Sequence, residues 1–147
     1  MQLWNWLKQR RARPSAPPCR PTILALSIPV LDRLALERLG QIHDWELYLL
    51  TFPPEAFRLV SRKHFDLILC GRSQPGYPWR EVMDLLATKS PDSRIVLVSP
   101  TGGEDLWSDV VRLGGHSVLA SPLREGDMLQ LMDAATHAFL APASGVR

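Results

Sequence analysis

Short apolar runs alternate along this chain with stretches in which apolar residues recur every three or four positions. Thr22–Ser27 (TILALS) is apolar almost throughout and stops before Pro29, which predicts a buried strand. Leu31, Leu34, Ala35, Leu39 and Ile42 follow at helical spacing and predict a helix with that set as its inner face. Glu46–Thr51 (ELYLLT) reads as a second strand. Pro53 and Pro54 suit the first turn of a helix whose inner face is Ala56, Leu59 and Val60. Phe65–Cys70 (FDLILC) is a third strand, begun by Asp66 at the end away from the turn-rich segment Gly71–Pro78. Trp79, Val82, Leu85 and Leu86 mark the third helix, and Arg94–Ser99 (RIVLVS) the fourth strand. Leu106, Trp107, Val110 and Val111 mark a fourth helix closed by Gly114 and Gly115. Ser117–Ala120 is a short fifth strand, and Met128, Leu131, Met132, Ala135 and Phe139 mark the last helix.

Five strands thus alternate with five helices, and the strands are apolar on both faces. That is the expectation for a parallel sheet covered by helices on both sides, an α/β doubly wound three-layer sandwich. The length of 147 residues and an apolar content of 46% fit one domain with one core layer on each side of a sheet. The ends differ from the body. Residues 1–21 combine a short apolar and basic stretch, with Leu3, Trp4, Trp6 and Leu7, and a linker that Pro14, Pro17, Pro18 and Pro21 make extended. The domain is expected over residues 22–140, with 141–147 a frayed tail.

Charge sharpens this division. Residues 1–20 carry Lys8, Arg10, Arg11, Arg13 and Arg20 and no acid, hence +5; the remaining 12 bases face all 15 acids, hence −3. Two distant cysteines, Cys19 and Cys70, offer no metal spacing and no disulfide framework, so a reducing cytosol is the expected compartment. No apolar stretch approaches the roughly 18 residues of a membrane span, and the N-terminus has its bases after its apolar residues, unlike a secretory signal. His43, His64, His116 and His137 are scattered without ligand spacing and are expected mostly at the surface. Glycine-rich phosphate loops and a nucleophile elbow are also missing from the sequence.

In an open parallel sheet, function collects at the carboxyl ends of the strands. Those ends are Ser27-Ile28-Pro29, Gly71-Arg72, Ser99-Pro100 and Ser121-Pro122. The third segment, Asp66 to Gly76, resembles the part of a response regulator receiver domain (CheY-like) in which an apolar strand ends in the phosphoacceptor aspartate. A Pro-Gly pair follows that aspartate four residues later, and Pro75-Gly76 places Gly71 at the acceptor position. By the same resemblance, Ser27 and Ile28 stand where the family has two adjacent acids. Ser99 matches its Thr or Ser, and Ser121-Pro122 stands for its Lys-Pro, with Gly114-Gly115 as the preceding small-residue turn. The resemblance covers roughly Thr22 to Ala138. It implies a flavodoxin-like (βα)5 sandwich with a five-stranded parallel sheet of order 2-1-3-4-5.

The chemistry of that family is not expected here. Members transfer a phosphoryl group to the aspartate with Mg²⁺ held by carboxylates, and Mg²⁺ demands hard oxygen ligands. Ser27 and Ile28 supply no carboxylate, Gly71 no nucleophile, and Ser121 no ammonium to pair with phosphoryl oxygens. The aromatic reporter of the fifth strand corresponds to Val118. Glu104 and Asp105 suit the start of the next helix, and Arg72 reads as a solvated loop residue. The expected pseudo-receiver has no catalytic residue, metal or cofactor.

Function is therefore expected on the outer surfaces. The first reading is a non-phosphorylatable protein–protein interaction module of bacterial two-component signalling. The resemblance places its partner or dimer face on the fourth helix, fifth strand and fifth helix, around Trp107, Val111, Leu123, Met128 and Leu131. The alternative is a domain sensing a small molecule or anion in the vacated pocket of Ser27, Gly71, Ser99 and Ser121. The head bearing Trp4, Trp6, Arg10 and Arg11 fits an interfacial helix on an anionic membrane, a docking peptide, nucleic-acid attraction, or a tail packed on the domain.

Overall fold

The computed structural model describes residues 20–74, 76–100 and 104–136. Five strands and five helices alternate: β1 (Thr22–Leu26), α1 (Val30–His43), β2 (Glu46–Leu50), α2 (Pro53–Val60) and β3 (Leu67–Gly71). Then come α3 (Trp79–Lys89), β4 (Arg94–Ser99), α4 (Glu104–Arg112), β5 (Ser117–Ala120) and α5 (Glu125–Thr136). All pairings are parallel and the sheet order is β2-β1-β3-β4-β5. This is the doubly wound sandwich that the alternation of apolar runs predicts. The basic head, with Trp4, Trp6, Arg10 and Arg11, and the tail 141–147 lie outside the described residues.

The period of two along each central strand divides the interior into two layers. Ile23, Ala25, Leu67, Leu69, Val96 and Val98 point to the side covered by α1 and α5, where Leu36, Leu39, Met128 and Met132 meet them. Leu24, Leu26, Ile68, Cys70, Ile95 and Leu97 point to the side of α2, α3 and α4, against Ala56, Val82, Met83, Leu86 and Val110. β1, β3 and β4 are interior strands and are buried almost throughout, whereas β2, at the edge, is half-buried.

Four sequence expectations change. α1 buries Asp32, Leu36, Leu39 and Gly40, while Leu31, Leu34 and Ile42, expected inside, face outward. The reason is Asp32: its carboxylate accepts hydrogen bonds from the Ser121 hydroxyl (2.5 Å) and the Leu123 main-chain N–H (2.9 Å), which sets the rotation of the helix. Of the expected interaction face, Leu123 and Met128 are core residues, packed with β1, β3 and β4 in the α1–α5 layer. Trp107 and Val111 do lie outside, and Leu131 is half-buried against the same core. The third strand also starts two residues later than expected. Asp66 precedes it, and its side chain accepts the Thr22 N–H at the foot of β1 (2.9 Å). His116 is structural rather than a free surface group. Its Nδ1 accepts the Ile95 N–H (3.0 Å), and burial together with the Arg94 charge holds the imidazole below its usual pKa.

Candidate functional site at the carboxyl end of the sheet

β1 leaves the sheet abruptly. Ser27 donates its N–H to the Leu50 carbonyl of β2 (2.8 Å) and then adopts a left-handed conformation, φ 54°. Its hydroxyl donates to the Thr51 carbonyl (2.7 Å), so the side chain turns toward β2 and away from β3. Its own carbonyl swings the other way, over the end of β3. A Cβ on Gly71 would overlap the Ser27 carbonyl oxygen and stand 2.7 Å from its carbonyl carbon and 3.3 Å from the Ile28 Cα. Only glycine fits beneath this turn. The next residue, Ile28, puts its side chain into the α1–α5 core layer.

The remaining expected site residues are likewise engaged. Ser99 ends β4 fully buried. Ser121, after β5 and before a cis Pro122, gives its hydroxyl to Asp32. Ser27, Gly71, Ser99 and Ser121 therefore stand at neighbouring strand ends, as the spacing predicts. Main chain covers Gly71, and the Ser27 and Ser121 hydroxyls are spent on internal acceptors. Arg72 is exposed on the following loop.

Asp32 is the residue that pattern reading missed. It is 1% exposed, on the first turn of α1, and ties that helix to the β5–α5 turn. A buried carboxylate is costly unless its oxygens are satisfied, and here one oxygen takes the hydroxyl and the other the amide. The only sequence signal is an acid interrupting an apolar helix. Its partners lie 89 and 91 positions away, so spacing could not reveal them.

This arrangement does not suit a divalent cation. Such a cation is held by several oxygens, usually with one or more carboxylates among them. Both oxygens of Asp32 are committed, and among the described residues no three of His, Cys, Asp and Glu converge as a metal site. Nor does the neighbouring thiol offer a nucleophile. Cys70, one residue before the glycine, is fully buried, and burial pushes its thiol up to about 12, partly offset by the Gln74 amide donating to its sulfur (3.3 Å). In a Cys19→Ser background, Cys70 is expected to react with iodoacetamide at pH 8 only as fast as the domain unfolds, and promptly in urea. The unfolded thiol ionises near 9.0 while the buried one keeps its proton to about 12, so the unfolded chain binds fewer protons between those values. This group's contribution to stability is complete below pH 9 and falls as the pH rises toward 12.

Among the described residues no helix is long and apolar enough to cross a membrane. No model of a known sequence family matches the chain, and no curated protein matches it in sequence. Solved structures match it well. A CheY-like response regulator receiver domain protein from Methanospirillum hungatei superposes with a TM-score of 0.70 at 13% identity, covering 80% of this chain and 98% of that one. The receiver domain of the Saccharomyces cerevisiae response regulator Ssk1, solved with the histidine phosphotransfer signaling protein Ypd1, gives 0.69 at 13% identity, covering 80% and 90%. An adenylate cyclase from Rhodopirellula baltica gives 0.68 at 20% identity, covering 87% and 97%. The fold is that of response-regulator receiver domains.

Proposed function

We propose that the chain is a non-phosphorylatable receiver-type module of two-component signal transduction, acting in the cytoplasm by binding a protein partner and catalysing no reaction. The observation that carries this reading is at Gly71. The position that would hold the acceptor aspartate lacks a side chain, and the Ser27 carbonyl occupies the space that such a side chain needs. The position of the family's lysine supports it too, since Ser121 is held by Asp32. Sensing a small molecule in this region has less support, because the small polar residues are turned to internal partners.

The partner face proposed is the outer side of α4 with the adjoining part of α5. Trp107 is 51% and Val111 44% exposed, one turn apart on α4, and Leu131 on α5 is half-buried against the α1–α5 core layer. Large apolar groups left in water side by side on one helix mark interaction surfaces. A protein of a phosphorelay, like the phosphotransfer protein bound by the yeast neighbour, or a second copy of the chain fits this role. Incubation with acetyl phosphate and Mg²⁺ is expected to leave the intact mass unchanged. A phospho-adduct at any aspartate overturns the proposal.

A further inference from the structure

The outer side of α1 is apolar and nothing described covers it. Leu31 is 73%, Leu34 55% and Ile42 59% exposed, and Arg38, between the last two, adds the methylenes of its stem to the same side. Soluble domains rarely leave so many large aliphatic side chains in water along one helix. The chain itself holds a matching segment. Residues 3–13 (LWNWLKQRRAR) combine Leu3, Trp4, Trp6 and Leu7 with four bases and no acid.

Reach and charge connect the two. The described chain begins at Arg20, whose guanidinium approaches Asp44 (3.4 Å) and donates to the Trp45 carbonyl (3.4 Å), immediately past the C-terminal end of α1. The proline-bearing stretch between Arg13 and Arg20 spans about 22 Å when extended at about 3.1 Å per residue. α1 has 14 residues, which at 1.5 Å each makes it about 21 Å long. The linker is thus long enough for residues 3–13 to reach any level of that helix. A groove of about 520 Å³ runs beside α1 between Glu37, Gln41, Asp44 and Leu47, starting at Arg20 itself, and gives the bases acidic neighbours. Beyond residue 20 the body carries −3 against the +5 of the first 20 residues.

We infer that residues 3–13 fold back on their own domain. Trp4, Trp6 and the two leucines cover Leu31, Leu34 and Ile42, and Lys8, Arg10, Arg11 and Arg13 lie toward Glu37 and Asp44. This covering is independent of the α4 face proposed above, and it removes one of two apolar surfaces from competition for partners.

The test uses the full chain with a nitroxide at Arg38→Cys in a Cys19→Ser background, because Cys70 is buried. Two-dimensional NMR then follows the indole N–H signals of Trp4 and Trp6. Both are expected to be broadened by the label, independently of dilution, and to recover when Leu31→Ser and Leu34→Ser are added at these exposed positions. Unbroadened indoles overturn the inference. Broadening that occurs only when spin-labelled and isotope-labelled chains are mixed also overturns it, because the cover is then a second copy. Indole signals that are unbroadened in buffer and change only with phosphatidylglycerol vesicles, or only with duplex DNA, overturn it in favour of lipid or nucleic acid.

Discussion

Gly71→Ala is expected to lower the stability of the domain by about 3 kcal/mol and its Tm by about 10 °C. The added methyl meets main chain, not the end of a flexible side chain: it overlaps the Ser27 carbonyl oxygen and crowds the Ile28 Cα. Relief requires moving the β1–α1 turn, which the Ser27 N–H to Leu50 and the Ser27 hydroxyl to Thr51 hold in place. Gly71→Asp brings the same clash and adds a carboxylate beside a carbonyl oxygen, so it is expected to be worse still. Ser27→Gly in the same chain frees a left-handed position and is expected to recover part of the loss. Thermal melts of the three variants check this. A Gly71→Ala melt within about 2 °C of the parent means that the turn yields easily and the end of β3 is not closed.

Asp32→Ala is the second large effect, a loss of about 3 kcal/mol. The substitution removes two hydrogen bonds to one carboxylate and leaves the Leu123 N–H and the Ser121 hydroxyl without their acceptor. Asp32→Asn keeps an acceptor for Leu123 and turns its amide N–H₂ toward the Ser121 oxygen, so most of the stability returns. Ser121→Ala alone costs about 1–2 kcal/mol by stranding one carboxylate oxygen. Combined with Asp32→Ala it is expected to cost little more, because the interaction is already gone. Urea denaturation of the double-mutant cycle measures this. Additive losses from the two single changes sink the clamp.

The architecture was legible because each interior strand carries an unbroken apolar run and each helix a period of its own. β4 and β5 were bounded to the residue, and Gly71 was legible as the end of the third apolar run. α1 was misread because its aliphatic residues, Val30, Leu31, Leu34, Leu36, Leu39 and Ile42, nearly encircle it. Periodicity then favours no face, and the choice falls to Asp32, whose partners are distant in sequence. Leu123 and Met128 were assigned outward by analogy of position, but the chain after Pro122 carries both into the α1–α5 core layer. That main chain rather than empty space lies over Gly71 depends on one left-handed residue, Ser27, which no apolar pattern encodes.

The turn closed over Gly71 also bears on how such a module would be controlled. A receiver that accepts a phosphoryl group can be present at constant amount and still report a changing input. A domain with one fixed surface has no such variable, and the fraction of partner that it occupies follows its concentration by mass action. Its signal would then be its abundance, set by synthesis and degradation. On that footing a stability change of a few kcal/mol at Gly71 or Asp32 would act as a change of dose.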